Sequence, residues 1–206
     1  MRNKWSRIRL ALLLGLTMIG SGCSTNWVQQ GQEIIAVLMP ATTNLVILVA
    51  TLQGKEISAE DLALVQKTGS ELGADLTLVQ ALIGAYESAD QKAKQRILNQ
   101  IESVLQATQE NLQGLMLGLH IKDESTRVKV TAIVGILLAE VQALGAILPV
   151  VQGQGAGVTG QGAAARRKKP MSAGEFSNSY NAIITARTGR AELDGVSDAL
   201  KLQGKR

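Results

Sequence analysis

A single cysteine, Cys23, and a single histidine, His120, bound the chemistry open to this chain of 206 residues. Nucleophilic catalysis pairs an activated Ser or Cys with a nearby base, most often His. Any His-dependent hydrolase would therefore rest on His120. That residue falls at the end of an apolar periodic stretch, where it reads as a polar helix-terminus residue meeting the last carbonyls. One His and one Cys exclude a His-rich metal centre and a multi-cysteine zinc site. Two carboxylates, Glu33 and Glu140, lie beside long uncharged stretches. A desolvated carboxyl has a raised pKa and suits general acid–base work. The plainer reading puts Glu33 at the exposed start of its stretch and Glu140 on a narrow polar stripe. No acidic run has calcium-loop spacing, and the glycines at 153–162 follow no strand, so they form no phosphate loop. The expectation is a protein without catalytic residues, cofactor or metal.

Composition narrows the partners. Five aromatic residues leave little to stack on bases or sugars. Lys and Arg number 21 against 17 acids, a net charge of +4. Four of those bases, Arg2, Lys4, Arg7 and Arg9, precede any acid. Without them the remainder is neutral but polarised: residues 23–152 carry 8 bases and 13 acids, and residues 153–206 carry 9 bases and 4 acids. Nucleic acid is not an expected partner.

The four early bases open a leader. An apolar run, LALLLGLTMI, fills residues 10–19, and Gly20-Ser21-Gly22 leads directly to Cys23. Ten helical residues span about 15 Å, half of a hydrocarbon core, which is too short to cross it and right for a secretory signal. Residues 1–23 resemble the lipobox signal of bacterial lipoproteins, with Gly20 where that family favours Leu. The resemblance implies cleavage before Cys23, lipid attachment at Cys23, and residence in the cell envelope. Ser24 after the cysteine implies outer-membrane sorting in a two-membrane organism. Several acyl chains, at about 0.8 kcal/mol per buried CH₂, anchor firmly where one does not.

The remaining chain must supply what is anchored, and its periodicity is helical throughout. Asn26 caps a first segment carrying Val28, Ile34, Ile35, Val37 and Leu38, which Pro40 kinks or ends; Thr42, Thr43 and Asn44 offer a restart. Ser58-Ala59-Glu60-Asp61 starts a second helix whose Leu62, Val65, Gly69, Leu72, Leu76, Val79, Ile83 and Tyr86 recur at spacings of three and four. Ser88-Ala89-Asp90-Gln91 reads as a capping box before Ile97, Ile101, Val104, Thr108, Leu112, Leu115 and Leu119. Asp123 or Ser125 caps a fourth helix ending near Pro149. Gly69 and Gly73, four apart, suit close helix packing. Short turns make sequential helices antiparallel neighbours.

The predicted fold is all-α: an antiparallel bundle of about four core helices, the first kinked at Pro40. The predicted division is a signal peptide at 1–22, the bundle at 23–152, a Gly-rich basic linker at 153–171 and a short helical tail at 172–206. Ser172 and Glu175 form a second capping box at the start of that tail, ahead of Phe176, Tyr180, Ile183 and Ile184. The linker's cluster Arg166, Arg167, Lys168 and Lys169 is a candidate contact for an anionic surface, each base contributing about 1 kcal/mol near an anionic leaflet.

Together these features point to a non-enzymatic, lipid-anchored envelope protein that acts as a structural or partner-binding helical module. Its expected partners are the membrane, through the lipid, and another protein or a second copy. Two alternatives stay open. Residues 34–54 hold no charge and 130–151 hold one Glu, so both are long enough to insert in a membrane. An aromatic-poor core also leaves room for a small apolar ligand carried inside the bundle.

Overall fold

The computed structural model describes residues 26–52, 57–149, 171–189 and 191–203; for 191–193 only the backbone is described. Cys23, the glycines at 153–162 and the cluster Arg166, Arg167, Lys168 and Lys169 lie outside the described residues. Six helices follow in order: α1 (Asn26–Thr51), α2 (Ala59–Tyr86), α3 (Gln91–Gly118), α4 (Glu124–Ala146), α5 (Ala173–Thr185) and α6 (Ala191–Ala199). No strand occurs among them. The predicted all-α bundle is the observed fold.

Helices α2, α3 and α4 start where the sequence supplies an acceptor for orphan backbone N–H groups. Ser58 caps α2, Asp90 caps α3 and Asp123 caps α4, each accepting from the amide three residues on. The cap of α3 corrects the expected box at Ser88: the Ser88 hydroxyl instead donates to the carbonyl of Ala85, and Asp90 accepts the Ala93 N–H at 2.7 Å. The Ser172–Glu175 box of α5 forms in both halves.

The four long helices close a ring in which α1 packs on α2, α2 on α3, α3 on α4 and α4 on α1. Chain direction alternates around it. The expected seam of α2 is buried at Leu62, Val65, Leu72, Leu76, Val79 and Ile83. On α3 the buried set includes Leu98 and Leu105, with Ile97 and Val104 half-buried beside them. Of the two small residues on α2, Gly69 makes the close approach: a Cβ there would stand 2.5 Å from Val46 Cγ2, whereas Gly73 faces open space.

Pro40 lies inside a single continuous α1 and does not end it. A proline removes the bond to the carbonyl four residues earlier, here Ala36. Both Pro40 and Ala36 are solvent-exposed, a setting in which a carbonyl without its helical partner costs little.

The tail is part of the core. Helix α5 packs on both α1 and α4, and α6 packs on α5 and α1. Phe176, Tyr180 and Ile184, at helical spacings of four, are fully buried. Each such side chain contributes about 1.5–3 kcal/mol as an upper estimate. This fifth helix also accounts for the apolarity of its neighbours. Helices α1 and α4 meet the ring on one side and α5 on another, so each carries two apolar faces.

Candidate functional site

His120 sits in the turn between α3 and α4, with its imidazole 85% exposed. Its partner is Asp61 and not the last carbonyls of α3. The His120 N–H donates to Asp61 Oδ1 at 3.0 Å, and Nδ1 lies 3.7 Å from the same oxygen. Ser58 Oγ donates to Asp61 Oδ2 at 2.8 Å and accepts the Asp61 N–H at 3.0 Å. Burial pushes the Asp61 carboxyl up, but the N–H of His120 and the hydroxyl and amide of Ser58 outweigh it and hold the pKa below 3.8. The carboxylate thus stands between the serine and the imidazole. A Ser-His-Asp relay has the imidazole in the middle. This arrangement instead ties the start of α2 to the end of α3.

The two carboxylates singled out by their uncharged neighbours part company. Glu33 is exposed and accepts from Gln29 Nε2 at 3.1 Å. Glu140 is 1% exposed, which corrects its placement on a polar stripe. Its Oε1 has no hydrogen-bond partner among the described residues, and the carboxylate accepts the backbone N–H of Met171, just before α5. Burial pushes its pKa up from 4.5 to about 7, against the Met171 N–H and with the help of the Glu175 charge.

At the other end of α5 stands a buried cation that composition and spacing did not single out. Lys129 is 5% exposed, and its Nζ donates to the Ile184 carbonyl at 2.8 Å and to Ser197 Oγ at 3.3 Å. Burial pushes the lysine pKa down, with Asp194 opposing.

Lys129 and Glu140 are three helical turns apart on α4, about 16 Å. They meet opposite ends of α5, which runs antiparallel to α4. The acid faces the amino end of α5 and the base faces its carboxyl end; the helix dipole favours each charge there, but burial opposes both and is the larger effect. Between them Tyr180 is fully buried beside Asn44. Burial pushes its hydroxyl up to about 12. The Asn44 amide donates to Leu200 O at 2.7 Å, and Asn181 pairs with both backbone groups of Leu202 at 2.8 and 2.9 Å. The signal for this site was the pair of charges at 129 and 140 flanking an otherwise uncharged run. Its meaning depended on contacts 55 and 68 residues away in sequence.

The end of the bundle where α1 begins has its own character. The rings of Trp27 and Tyr86 meet edge to face, with centroids 4.8 Å apart, and Lys94 Nζ lies 5.3 Å from the Tyr86 ring centre. A Cβ on Gly31 of α1 would lie 2.9 Å from Ile83 of α2 and 3.5 Å from Leu144 of α4. The last turns of α2 and α4 and the first turns of α1 and α3 therefore share this end. Met171, held by Glu140, brings the start of α5 to the same side.

None of the known family models, curated proteins or solved structures compared with the chain matches it. The class that the fold defines is an up-and-down helical bundle with a fifth helix laid over its first and fourth.

Proposed function

We propose that this chain is a non-enzymatic, lipid-anchored helical module of the bacterial envelope, tethered through Cys23 and acting by binding a protein partner or a second copy of itself. The observation that carries the reading is the basic, apolar and Gly-Ser-Gly-Cys23 succession, followed within three residues by a packed helix at Asn26. An anchor at Cys23 would hold the α1-start end of the bundle within about 10 Å of the membrane, since three extended residues reach no farther. The connection between α4 and α5 leaves and rejoins that same end. Its Arg166, Arg167, Lys168 and Lys169 would then add about 1 kcal/mol each toward an anionic leaflet.

Detergent-phase partitioning of the full-length protein and of Cys23→Ala tests this reading. The wild type is expected in the detergent phase and Cys23→Ala in the aqueous phase. Aqueous partitioning of both would refute the anchor.

A second reading, membrane insertion, draws on α1 and α4, both long and apolar enough to cross a bilayer. The two faces each helix buries against other helices account for the same apolarity. If Cys23→Ala lacking the leader still requires detergent, insertion is favoured over a lipid tether.

A further inference from the structure

Helix α5 is held at both ends by titratable groups of α4, and the two ends differ in kind. At the carboxyl end a lysine donates to a carbonyl and a hydroxyl, 2.8 and 3.3 Å away. At the amino end the arrangement is under-compensated. Glu140 is 1% exposed, one of its oxygens has no partner among the described residues, and the charged group facing it is another acid, Glu175. Glu175 caps Ser172, accepting its N–H at 2.7 Å. Glu140 accepts the N–H of the preceding residue, Met171. Two carboxylates thus grip consecutive amides at the start of one helix. Among the described residues the charge that acts on Glu140 is that of Glu175. The α3 cations nearest this end, Lys92, Lys94 and Arg96, are exposed or half-buried, with Lys94 over the Tyr86 ring. The acids Glu33 on α1 and Glu110 on α3 are exposed and bonded to Gln29 and Gln106. An ionised carboxylate in such a place is costly unless paired.

We propose that α5 is a proton-controlled latch over the groove between α1 and α4. With Glu140 neutral, the start of α5 seats and Phe176, Tyr180 and Ile184 fill the groove. With Glu140 ionised, the population in which α5 and α6 lift away rises, starting at the amino end while Lys129 holds the other.

The direction follows from linkage. The carboxyl's pKa in the docked state, about 7, lies above its value of 4.5 when exposed. Its contribution to docking is therefore complete below about pH 4.5 and is lost as pH rises through about 7. The other buried carboxyl among the described residues, Asp61 on α2, has its pKa held below 3.8 and stays ionised between pH 5 and pH 8. Opening over that range is therefore confined to the tail, as local unfolding commonly is.

Hydrogen exchange of the mature protein between pH 5 and pH 8, corrected for the intrinsic pH dependence of exchange, reads this out. Protection of residues 173–185 should fall roughly tenfold or more across that range, while residues 91–118 stay level. In Glu140→Gln the α5 amides should stay protected throughout. A wild-type α5 with level protection, or a Glu140→Gln protein that keeps the wild-type slope, would overturn the proposal. Should Glu140→Gln fail to fold, Glu175→Gln decides. Glutamine preserves the capping box, and loss of the neighbouring charge should move the midpoint to lower pH. An unmoved midpoint there also overturns it.

Discussion

Lys129 and Ile184 stand 55 residues apart in sequence, yet the lysine ammonium donates to the isoleucine carbonyl at 2.8 Å inside the protein. The carbonyl belongs to the last turn of α5, whose acceptors have no partner within the helix. The cation therefore caps a helix that the chain supplies much later, and it reaches Ser197 as well.

Replacing Lys129 by Ala should cost about 1–3 kcal/mol, since it removes the ammonium that donates to the buried Ile184 carbonyl. The loss should fall on α5 and α6. Hydrogen exchange by segment checks this: faster exchange at 173–199, with α2 and α3 unchanged, is the expected pattern.

Gly69→Ala pits two effects against each other. Alanine gains up to about 1 kcal/mol of helix propensity over glycine, but its Cβ would stand 2.5 Å from Val46 Cγ2. Valine in a helix has one strongly favoured rotamer and cannot swing aside. Overpacking costs about 1–3 kcal/mol, so the substitution should destabilise. Val46→Ala should restore the loss, and a double-mutant cycle by urea denaturation should give a favourable coupling between the two changes.

Asp61 gives the acid limb of stability its sign. Its folded pKa is held below 3.8, so the stability it contributes is present above about pH 4 and is lost as pH falls through the lower folded value. Asp61→Asn should lower stability at pH 7 by about 1–3 kcal/mol, through weaker acceptance of the His120 N–H and the Ser58 hydroxyl. It should also flatten the fall below pH 4. Thermal melts from pH 3 to pH 7 measure both.

Phe176→Ala should remove about 3–5 kcal/mol, the usual range for a fully buried aromatic, because Phe176 is wholly enclosed. A loss near zero, measured by denaturant titration, would mean that α5 is not seated in solution.

The all-α architecture and most buried positions were legible in the sequence because the helices share one pattern, an apolar seam at spacings of three and four. Leu62 through Ile83 on α2 shows it. On α3 the seam is wider than the strict spacing, and Leu98 and Leu105 share it with Ile97 and Val104. A first helix running through Pro40 was one of the two outcomes the sequence allowed, since a proline either kinks or ends a helix, and the ring facing solvent selects it. The same holds for Asp90 over Ser88 as the cap of α3: both residue types cap, and only the geometry of the turn selects between them. The candidate site was the least legible part. Glu140 stood out by its neighbours, but its burial follows from a helix beginning 33 positions later, and Lys129 acquires its role only once α5 and α6 are docked.

The tether at residue 23 is the proposal on which location and partnership rest, and the mass of the native mature protein measures it most directly. The expected product is a chain beginning at Cys23 with a diacylglyceryl mass added to that residue. An unmodified Cys23, or a chain that still carries residues 1–22, would contradict it.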